Sequence, residues 1–400
     1  MTATELSLLI VNYNSWRVCL GALRSFRAAA PRGDDGRALT YDVVVVDNAS
    51  PQRDPEAEAL IEAELATMNG RLIRHDENGG YSKGMNLAYR HAHGRLVLVS
   101  NPDIVYQPGS VDALIRYQDA HPEAGAVAPV GFWDEGMDGL LPPNILPTLA
   151  DLLALTAADV SPFFSRRYAA RRTRRALRVW LADTPVALDM LSGCCFLMRR
   201  ELIERMGFFD ERYPLYYEDT DLSMRIRKQG LSIVQVPESR IVHLYNRSGQ
   251  TNHGEAMSRY WTSRRLYYRK WYGRLGARIY DATRWLLGTK WAKARARLSP
   301  QRAIRDLGAS HDKPTLRFDA PLSRYLVEGA LDPHFYLAAG IFGAGDSWTP
   351  SDSLFNGFGP TTYYWRVVDI SDLRRPRLVA VYSHTLLYPT LQMVALGQGA

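Results

Sequence analysis

Residues 41–50 read YDVVVVDNAS, and this stretch decides the class of fold. Four consecutive valines between Asp42 and Asp47 leave no polar face, which suits a strand covered on both sides, as in a parallel sheet. The apolar run stops at Asp47, Asn48 and Ser50, where polar side chains gather. Upstream, residues 6–12 (LSLLIVN) form another apolar run, ending at Asn12 and followed by Asn14. Residues 16–30 between them have helical character. Downstream, residues 55–68 (PEAEALIEAELATM) open on Pro55 and early glutamates, a helix-start pattern. A short strand is expected at 71–74, then a Gly-rich turn running into a helix. The stretch RLVLVSNPD (95–103) is a third strong strand, ending at Asn101-Pro102-Asp103. The order β-α-β-α-β predicts an α/β sheet with right-handed crossovers. In such sheets ligands bind outside the carboxyl ends of the strands. Those ends carry Asn12 and Asn14, Asp47 and Asn48, and Asp103.

Composition narrows the classes. The chain has 400 residues, 46% hydrophobic and 23% charged, an ordinary globular balance that argues against disorder. The length suits two to three domains, or one large α/β domain with an extension. Three cysteines, two of them adjacent, make no disulfide framework and point to a reduced, cytoplasmic setting. No Cys/His cluster has zinc spacing. The start, MTATELSLLIVNYN, lacks a secretory leader pattern, and no uninterrupted apolar run reaches the roughly 18 residues of a spanning helix. No GxGxxG follows the first strand, which disfavours a Rossmann dehydrogenase.

Charge is uneven. Residues 165–178 (SRRYAARRTRRALR) hold seven arginines and no acid. Residues 259–305 hold 14 Lys/Arg against one acid, Asp281, interleaved with Tyr260, Trp261, Tyr267, Tyr268, Trp271, Tyr272, Trp285 and Trp291. Basic residues mixed with Trp and Tyr suit an anionic membrane surface, with the rings at the interface. The plainer reading is a solvated helical face whose aromatics pack on the main domain. Nucleic acid is a third reading, but no recognised binding module accompanies the arginines. From about residue 312 the composition turns to Gly, Pro, Ser and aromatics, with β-like pieces YYWRVVDI (363–370) and RLVAVYSH (377–384).

Several clusters carry chemistry. Acidic residues at strand ends either accept hydrogen bonds from a base or ribose or hold a divalent cation. Asp47 suits the first role and Asp103, in a rigid turn, the second; simple turn chemistry is the alternative for each. Asn78-Gly79-Gly80 opens a helix whose exposed N–H groups suit an anion, with Lys83 in its first turn. Glu218-Asp219-Thr220-Asp221 starts another helix. Carboxylates are favoured there by the helix dipole, and one facing a cleft serves as a general base; capping accounts for Asp221. His243, closing a strand-like segment, is a metal or phosphate ligand or a structural histidine.

Together these pieces resemble a family 2 inverting glycosyltransferase of the GT-A fold, closest to its bacterial rhamnosyltransferase-like branch. The carrying segments are IVNYN (10–14), VVVDNAS (44–50), ENGGYSKGMN (77–86), SNPD (100–103), SGCCFLMRR (192–200), GFFDERYPLYYEDTDLSMR (207–225) and VHLYN (242–246). The resemblance spans residues 6 to about 250 and implies a mostly parallel central sheet flanked by helices; charge and composition add a basic helical segment and a small β-rich C-terminal module. The matching domains are 1–255 for transfer, 256–311 for the basic aromatic segment and 312–400 for a module without assigned role. It implies nucleotide-sugar binding by Asn12, Asn14, Asp47, Asn78, Lys83, Asn101 and Gly193. It implies a divalent cation, Mg²⁺ or Mn²⁺, on Asp103 and His243, and catalysis by Asp219 as base with Glu218 beside it. The metal motif departs from the usual pair of aspartates, since Asn101 stands where the first would be. The implied donor is dTDP- or UDP-linked, with dTDP-rhamnose first. The implied acceptor is a hydroxyl of a glycan or lipid-diphosphate-linked glycan in bacterial surface polysaccharide synthesis, at the inner face of the cell membrane; nucleic acid is not an expected partner. A non-catalytic nucleotide-sugar-binding protein on the same fold is the alternative.

Overall fold

The computed structural model describes residues 4–29, 31–33, 36–244, 253–298 and 300–387. It divides into two compact units. Unit 1 comprises residues 1–131, 143–147 and 182–281; unit 2 comprises 132–142, 148–181 and 282–400.

Unit 1 opens with β1 (Leu6–Asn12), α1 (Trp16–Ala29), β2 (Tyr41–Asp47), α2 (Pro55–Thr67), β3 (Gly70–Arg74), α3 (Tyr81–Arg90) and β4 (Leu96–Ser100). These are the strands and helices that the apolar runs predict. β5 (Ile104–Tyr106), α4 (Ser110–Ala120) and β6 (Ala124–Phe132) follow. The chain then forms α5 (Leu149–Val160) and α6 (Pro162–Trp180) of unit 2. It resumes unit 1 with β7 (Val186–Ala187), β8 (Cys195–Arg199), α7 (Arg200–Met206), α8 (Glu218–Lys228), β9 (Ser232–His243) and α9 (His253–Gly288).

Strands β3-β2-β1-β4 are mutually parallel, and β8, β6, β9 and β5 extend the same sheet with antiparallel pairings. The parallel half ends where the regular βα alternation ends, because antiparallel neighbours need no helical crossover. The sheet is buried on both faces. Leu8 and Ile10 of β1, with Val43 and Val45 of β2, pack against α1, α2 and α4. Leu9 and Val11, with Val44 and Val46, face α3, α7 and α8. Period-2 alternation thus fills two cores with apolar side chains, which is why these strands read as unbroken apolar runs.

α9 is broken at Gly273, whose φ of +67° an L side chain rarely adopts. The two halves fold against each other: Tyr268 stacks on Tyr280 at 5.5 Å and Arg265 pairs with Asp281 at 2.8 Å. Twelve residues of straight helix would separate the tyrosines by about 18 Å. Tyr267, Tyr268 and Tyr280 are buried, and Tyr260 and Tyr267 pack on Tyr217. Most tyrosines of the basic segment are therefore core, as the plainer reading has it.

Unit 2 adds α10 (Lys290–Ala296), β10 (Arg305–Ser310), β11 (Leu316–Ala330), β12 (Ala339–Trp348), α11 (Asp352–Asn356), β13 (Thr362–Asp369) and β14 (Arg377–Leu386). The five strands form a second sheet, ordered β10-β14-β13-β11-β12. One face carries Phe318, Tyr325, Trp348, Trp365 and Tyr382. The other packs on α6 through Ala169 and Leu177. There the buried Glu328 accepts from Arg366 Nε at 2.8 Å and from Thr173 Oγ1 at 2.8 Å. The expected fold class is present: a large mixed α/β sheet flanked by helices and a second, β-rich sheet toward the C-terminal end. No helix among the described residues is long and apolar enough to cross a membrane.

Candidate active site

The strand ends assemble in the order that the parallel half dictates. Asn12 and Asp47 are register partners at the ends of β1 and β2. Asn12 Nδ2 donates to Asp47 Oδ1 at 3.1 Å, and Asn12 Oδ1 accepts the Ser15 N–H at 3.2 Å. Ser50 closes the group, its hydroxyl donating to Asp47 Oδ1 at 2.5 Å and its N–H to Oδ2 at 3.3 Å. Ser50 Oγ also accepts the N–H of Asn14, which sits at φ +54°. A cleft lined by Asn14, Ser15, Trp16, Gln52 and Asp54 opens beside this group.

The Gly-rich turn joins the same row. Asn48 Nδ2 donates to Asn78 Oδ1 at 3.0 Å, and Asn48 Oδ1 accepts the Gly79 N–H at 3.2 Å. Asn78 Oδ1 also accepts the Gly80 N–H at 3.0 Å. Two of the N–H groups expected to face an anion are therefore already satisfied by asparagine side chains. Gly80 has φ +82°, and a Cβ there would lie 2.5 Å from the Pro214 carbonyl oxygen. Only glycine fits. Lys83 is exposed and forms no ion pair among the described residues, and its side chain runs beside Gly79 of the same turn.

Past β4 the row continues through the turn at 192–194. Asn101 N–H donates to the Cys194 carbonyl at 2.7 Å, and Gly193 N–H donates to Asp219 Oδ2 at 3.0 Å. Tyr81 OH donates to the Gly193 carbonyl at 2.9 Å. One turn thus ties the Asn101–Asp103 segment, the start of α3 and the start of α8.

Asp103 is buried and pairing of Ile104 with His243 brings the histidine beside it. His243 Nε2 lies 3.1 Å from Asp103 Oδ1 and 3.5 Å from Asn101 Nδ2. The contact with Asp103 is a charge-pair distance without hydrogen-bond alignment, and neither carboxylate oxygen has a hydrogen-bond donor. A buried carboxylate without aligned donors needs a cation beside it, and either a protonated His243 or a bound metal ion meets that need. Two ligands at right angles on an ion with bonds of about 2.1 Å stand about 3 Å apart, close to the spacing of Oδ1 and Nε2. The donor set fits a hard divalent cation that takes its other ligands from substrate and water. Among the described residues no group of three or more His, Cys, Asp or Glu has metal-holding geometry. Burial opposes charging of His243, but Asp103 and Cys194 beside it outweigh burial and raise its pKa to about 10. Tyr245 and Asn246, which follow in the quoted motif, lie outside the described residues.

The second carboxylate group has another character. Burial raises the pKa of Asp219, opposed by the N–H groups of Gly193 and Thr220 that donate to it. Thr220 N–H donates to Oδ1 at 2.6 Å. Glu218 is buried, and its Oε2 has no hydrogen-bond partner. Burial first, and the Asp219 charge second, push its pKa up to about 8. Burial thus raises both acids, and the N–H donors on Asp219, which Glu218 Oε2 lacks, oppose the rise at Asp219. Tyr216 and Tyr217, just before α8, both adopt positive φ, at +63° and +68°. Strain of this kind clusters at functional sites.

Asp221 corrects the capping expectation. It is fully buried, pairs with Arg225 Nε at 2.9 Å and Lys270 Nζ at 2.7 Å, and accepts from Trp271 Nε1 at 2.8 Å. It joins α8 to α9. Sequence reasoning missed this, and it gave no role to Ser50, Tyr81 or Thr220. All three stood in quoted blocks, but nothing in the spacing marked their contacts.

Residues 7–207, half of the chain, match the sequence pattern of glycosyl transferase family 2. The chain belongs to that family. This family 2 chain is 32% identical over 213 residues to N-acetylglucosaminyl-diphospho-decaprenol L-rhamnosyltransferase of Mycobacterium tuberculosis, a match covering 50% of this chain and 66% of that protein. It is 29% identical over 283 residues to the O-antigen biosynthesis protein RfbC of Myxococcus xanthus, covering 69% of this chain and 20% of that one. The chain therefore spans less than two thirds of these relatives. Among solved structures it is similar to a mannosyltransferase from Pyrobaculum calidifontis in complex with GDP-Man and Mn²⁺, at 18% identity, 74% of each chain and a TM-score of 0.44.

Proposed function

We propose that this chain is an inverting glycosyltransferase that moves a sugar from a nucleotide-diphospho-sugar to an acceptor hydroxyl, with the chemistry in residues 1–255. One observation carries the reading: a single turn at Gly193-Cys194 links two buried acids of opposite character, the donor-free Asp103 beside His243 and the donor-held Asp219. Asn12, Asn14 and Asp47 would meet the nucleotide, and Asn78, Asn101 and Gly193 the diphosphate and sugar. Lys83, exposed at the first turn of α3, would swing to the diphosphate only when it is bound. Asp103 and His243 would hold Mg²⁺ or Mn²⁺, which neutralises charge growing on a diphosphate leaving group.

The protein's own part is positioning and proton transfer. The Gly193 N–H fixes the Asp219 carboxylate in one orientation. Asp219 then accepts the proton of the acceptor hydroxyl as that oxygen attacks the anomeric carbon from the face opposite the diphosphate. One displacement inverts the configuration. Glu218, protonated below about pH 8, leaves the negative charge on Asp219.

The names of the relatives support L-rhamnose as the sugar, with dTDP-rhamnose as donor, and a lipid-diphosphate-linked glycan in surface polysaccharide synthesis as acceptor. An anionic membrane surface at the cytoplasmic side is the matching partner, because such an acceptor is embedded in one.

A thermal-shift series tests the reading, with dTDP, UDP and their sugar conjugates, each with and without Mn²⁺ or Mg²⁺. A ligand at a hundred times its Kd stabilises the native state by about 2.7 kcal/mol. The expected result is a metal-dependent rise with dTDP compounds that Asp103→Asn abolishes. A folded protein unmoved by every nucleotide would overturn the proposal.

A further inference from the structure

The arginines of α6 and the apolar side chains around its start take no part in the chemistry above. α6 buries one face, with Tyr168, Ala169, Thr173, Ala176 and Leu177 inside. Its other face exposes Arg167, Arg171, Arg174 and Arg178. Their spacing of four, three and four residues puts them in one row along the helix. Residues 162–180 contain no acid.

Three segments bring exposed apolar side chains to the beginning of this row. Phe163 and Phe164 are 55% and 50% exposed, with rings 5.3 Å apart, and the Arg167 guanidinium stands over Phe163. The 332–337 loop is tied to the same turn, since Ser165 Oγ lies 3.1 Å from His334 Nδ1 and accepts from Tyr336 OH at 2.9 Å; the loop exposes Leu337. α10 arrives from a third direction. Arg295 Nε donates to the Val160 carbonyl at 3.2 Å, and Arg166 Nη1 donates to the Pro300 carbonyl at 2.8 Å. One turn before Arg295 stands Trp291, 57% exposed, and three residues after it Leu298. Single exposed apolar residues are ordinary, whereas a cluster drawn from three segments marks an interaction surface.

The acids nearby do not reverse the sign. Asp151 is buried, accepts from Tyr168 OH and stands 3.8 Å from Arg171, so it offsets one arginine of the row, while Asp332 caps the His334 N–H. Asp159 is already partnered.

We propose that this corner of unit 2 docks on an anionic lipid bilayer, with Phe163, Phe164 and Trp291 at headgroup depth and the α6 arginine row over the headgroups. Charge complementarity selects this occupant. A neutral protein partner would not need the arginine row. A nucleic acid would not need aromatic and leucine side chains gathered at one end of it. The inference assigns the membrane contact to residues of unit 2 rather than to the mostly buried tyrosines of the 256–281 segment, and it requires no step of the transfer reaction.

Flotation of the full chain on phosphatidylcholine vesicles, with and without phosphatidylglycerol, tests it. Binding is expected only with phosphatidylglycerol and should fall at high salt. Arg167→Gln/Arg174→Gln/Arg178→Gln should weaken partitioning roughly a hundredfold, at about fivefold per charge. Phe163→Ser/Phe164→Ser/Trp291→Ser should weaken it by more than about tenfold. Leu373→Ser, at an exposed position outside these three segments, should leave it unchanged. All of these side chains are exposed, so the variants should keep the wild-type melting temperature and its nucleotide-dependent shift, which separates this proposal from the function proposed above. Three results would overturn it: no flotation on either vesicle, flotation that both triple variants retain, or binding to duplex DNA at physiological salt that the arginine variant loses and the aromatic variant keeps.

Discussion

Replacing Asp219 by asparagine isolates the proton-accepting role. The side chain keeps its size and one carbonyl oxygen but loses its basicity. In the native protein Oδ2 accepts from Gly193 N–H at 3.0 Å, and Oδ1 accepts from Thr220 N–H at 2.6 Å. Asparagine can satisfy one of these donors, so its NH₂ must face the other. The unsatisfied donor costs about 1–3 kcal/mol of stability, which a domain of this size survives. Loss of a positioned general base costs about 10²–10⁴-fold in turnover, equivalent to about 3–5 kcal/mol of barrier. The decisive comparison is kcat for sugar transfer from the proposed nucleotide-sugar donor to the proposed acceptor, set against the Kd of the donor nucleotide by calorimetry. We expect kcat to fall by two to four decades, as just estimated, while Kd stays within about threefold. A loss of kcat below about tenfold would refute the base assignment. So would a Kd that weakens by the same factor as kcat, because the residue would then shape the site rather than act on the acceptor.

Glu218 predicts a pH dependence of stability. Its folded pKa, near 8, lies above the unfolded value, so its contribution is fully present below about pH 4.5 and is lost as pH rises toward 8. Glu218→Gln should therefore gain stability over the wild type at pH 8, on the order of a few kcal/mol, and little at pH 5, as read from urea denaturation at both pH values; equal effects at both would contradict the assignment. Asp221→Ala leaves Arg225 and Lys270 without their shared buried carboxylate and should destabilise unit 1 by about 3–5 kcal/mol; a loss below about 1 kcal/mol in the same assay would show that the pairing is dispensable. Gly80→Ala must place a Cβ at positive φ against the Pro214 carbonyl. It should lower stability by about 2–3 kcal/mol and weaken dTDP binding, whereas an unchanged melting temperature would show that the turn relaxes freely.

The chemistry was unevenly legible. Asn12, Asp47 and Asp103 end apolar strands, and the ends of parallel strands share one edge of a sheet, so their convergence follows from local patterns alone. The pairing of Asp103 with His243 joins residues 140 positions apart through β5 and β9, and no periodicity encodes that. At the turn 78–80 two asparagine side chains accept the Gly79 and Gly80 N–H groups, a tertiary contact between the ends of β2 and α3 that the sequence pattern does not announce. The arginine-rich stretch 165–178 gave no clear element, yet it is the middle of α6. Its buried face carries the small and mixed residues Ser165, Ala169 and Thr173, too weak an apolar stripe to announce a helix.

What the sequence determined by itself is whatever depends on short-range repetition: buried strands, the helices between them, and the polar residues that must appear where burial stops. Tertiary structure alone decided which acids share a turn, which of them meets N–H donors, and that Asp221 is a hub rather than a cap. It also decided that the tyrosines of residues 260–280 are mostly core, because Gly273 folds α9 back on itself. The physical reason is common to these cases. Desolvation and charge pairing depend on what stands across the site in space, and the groups that stand there come from segments far apart in the chain.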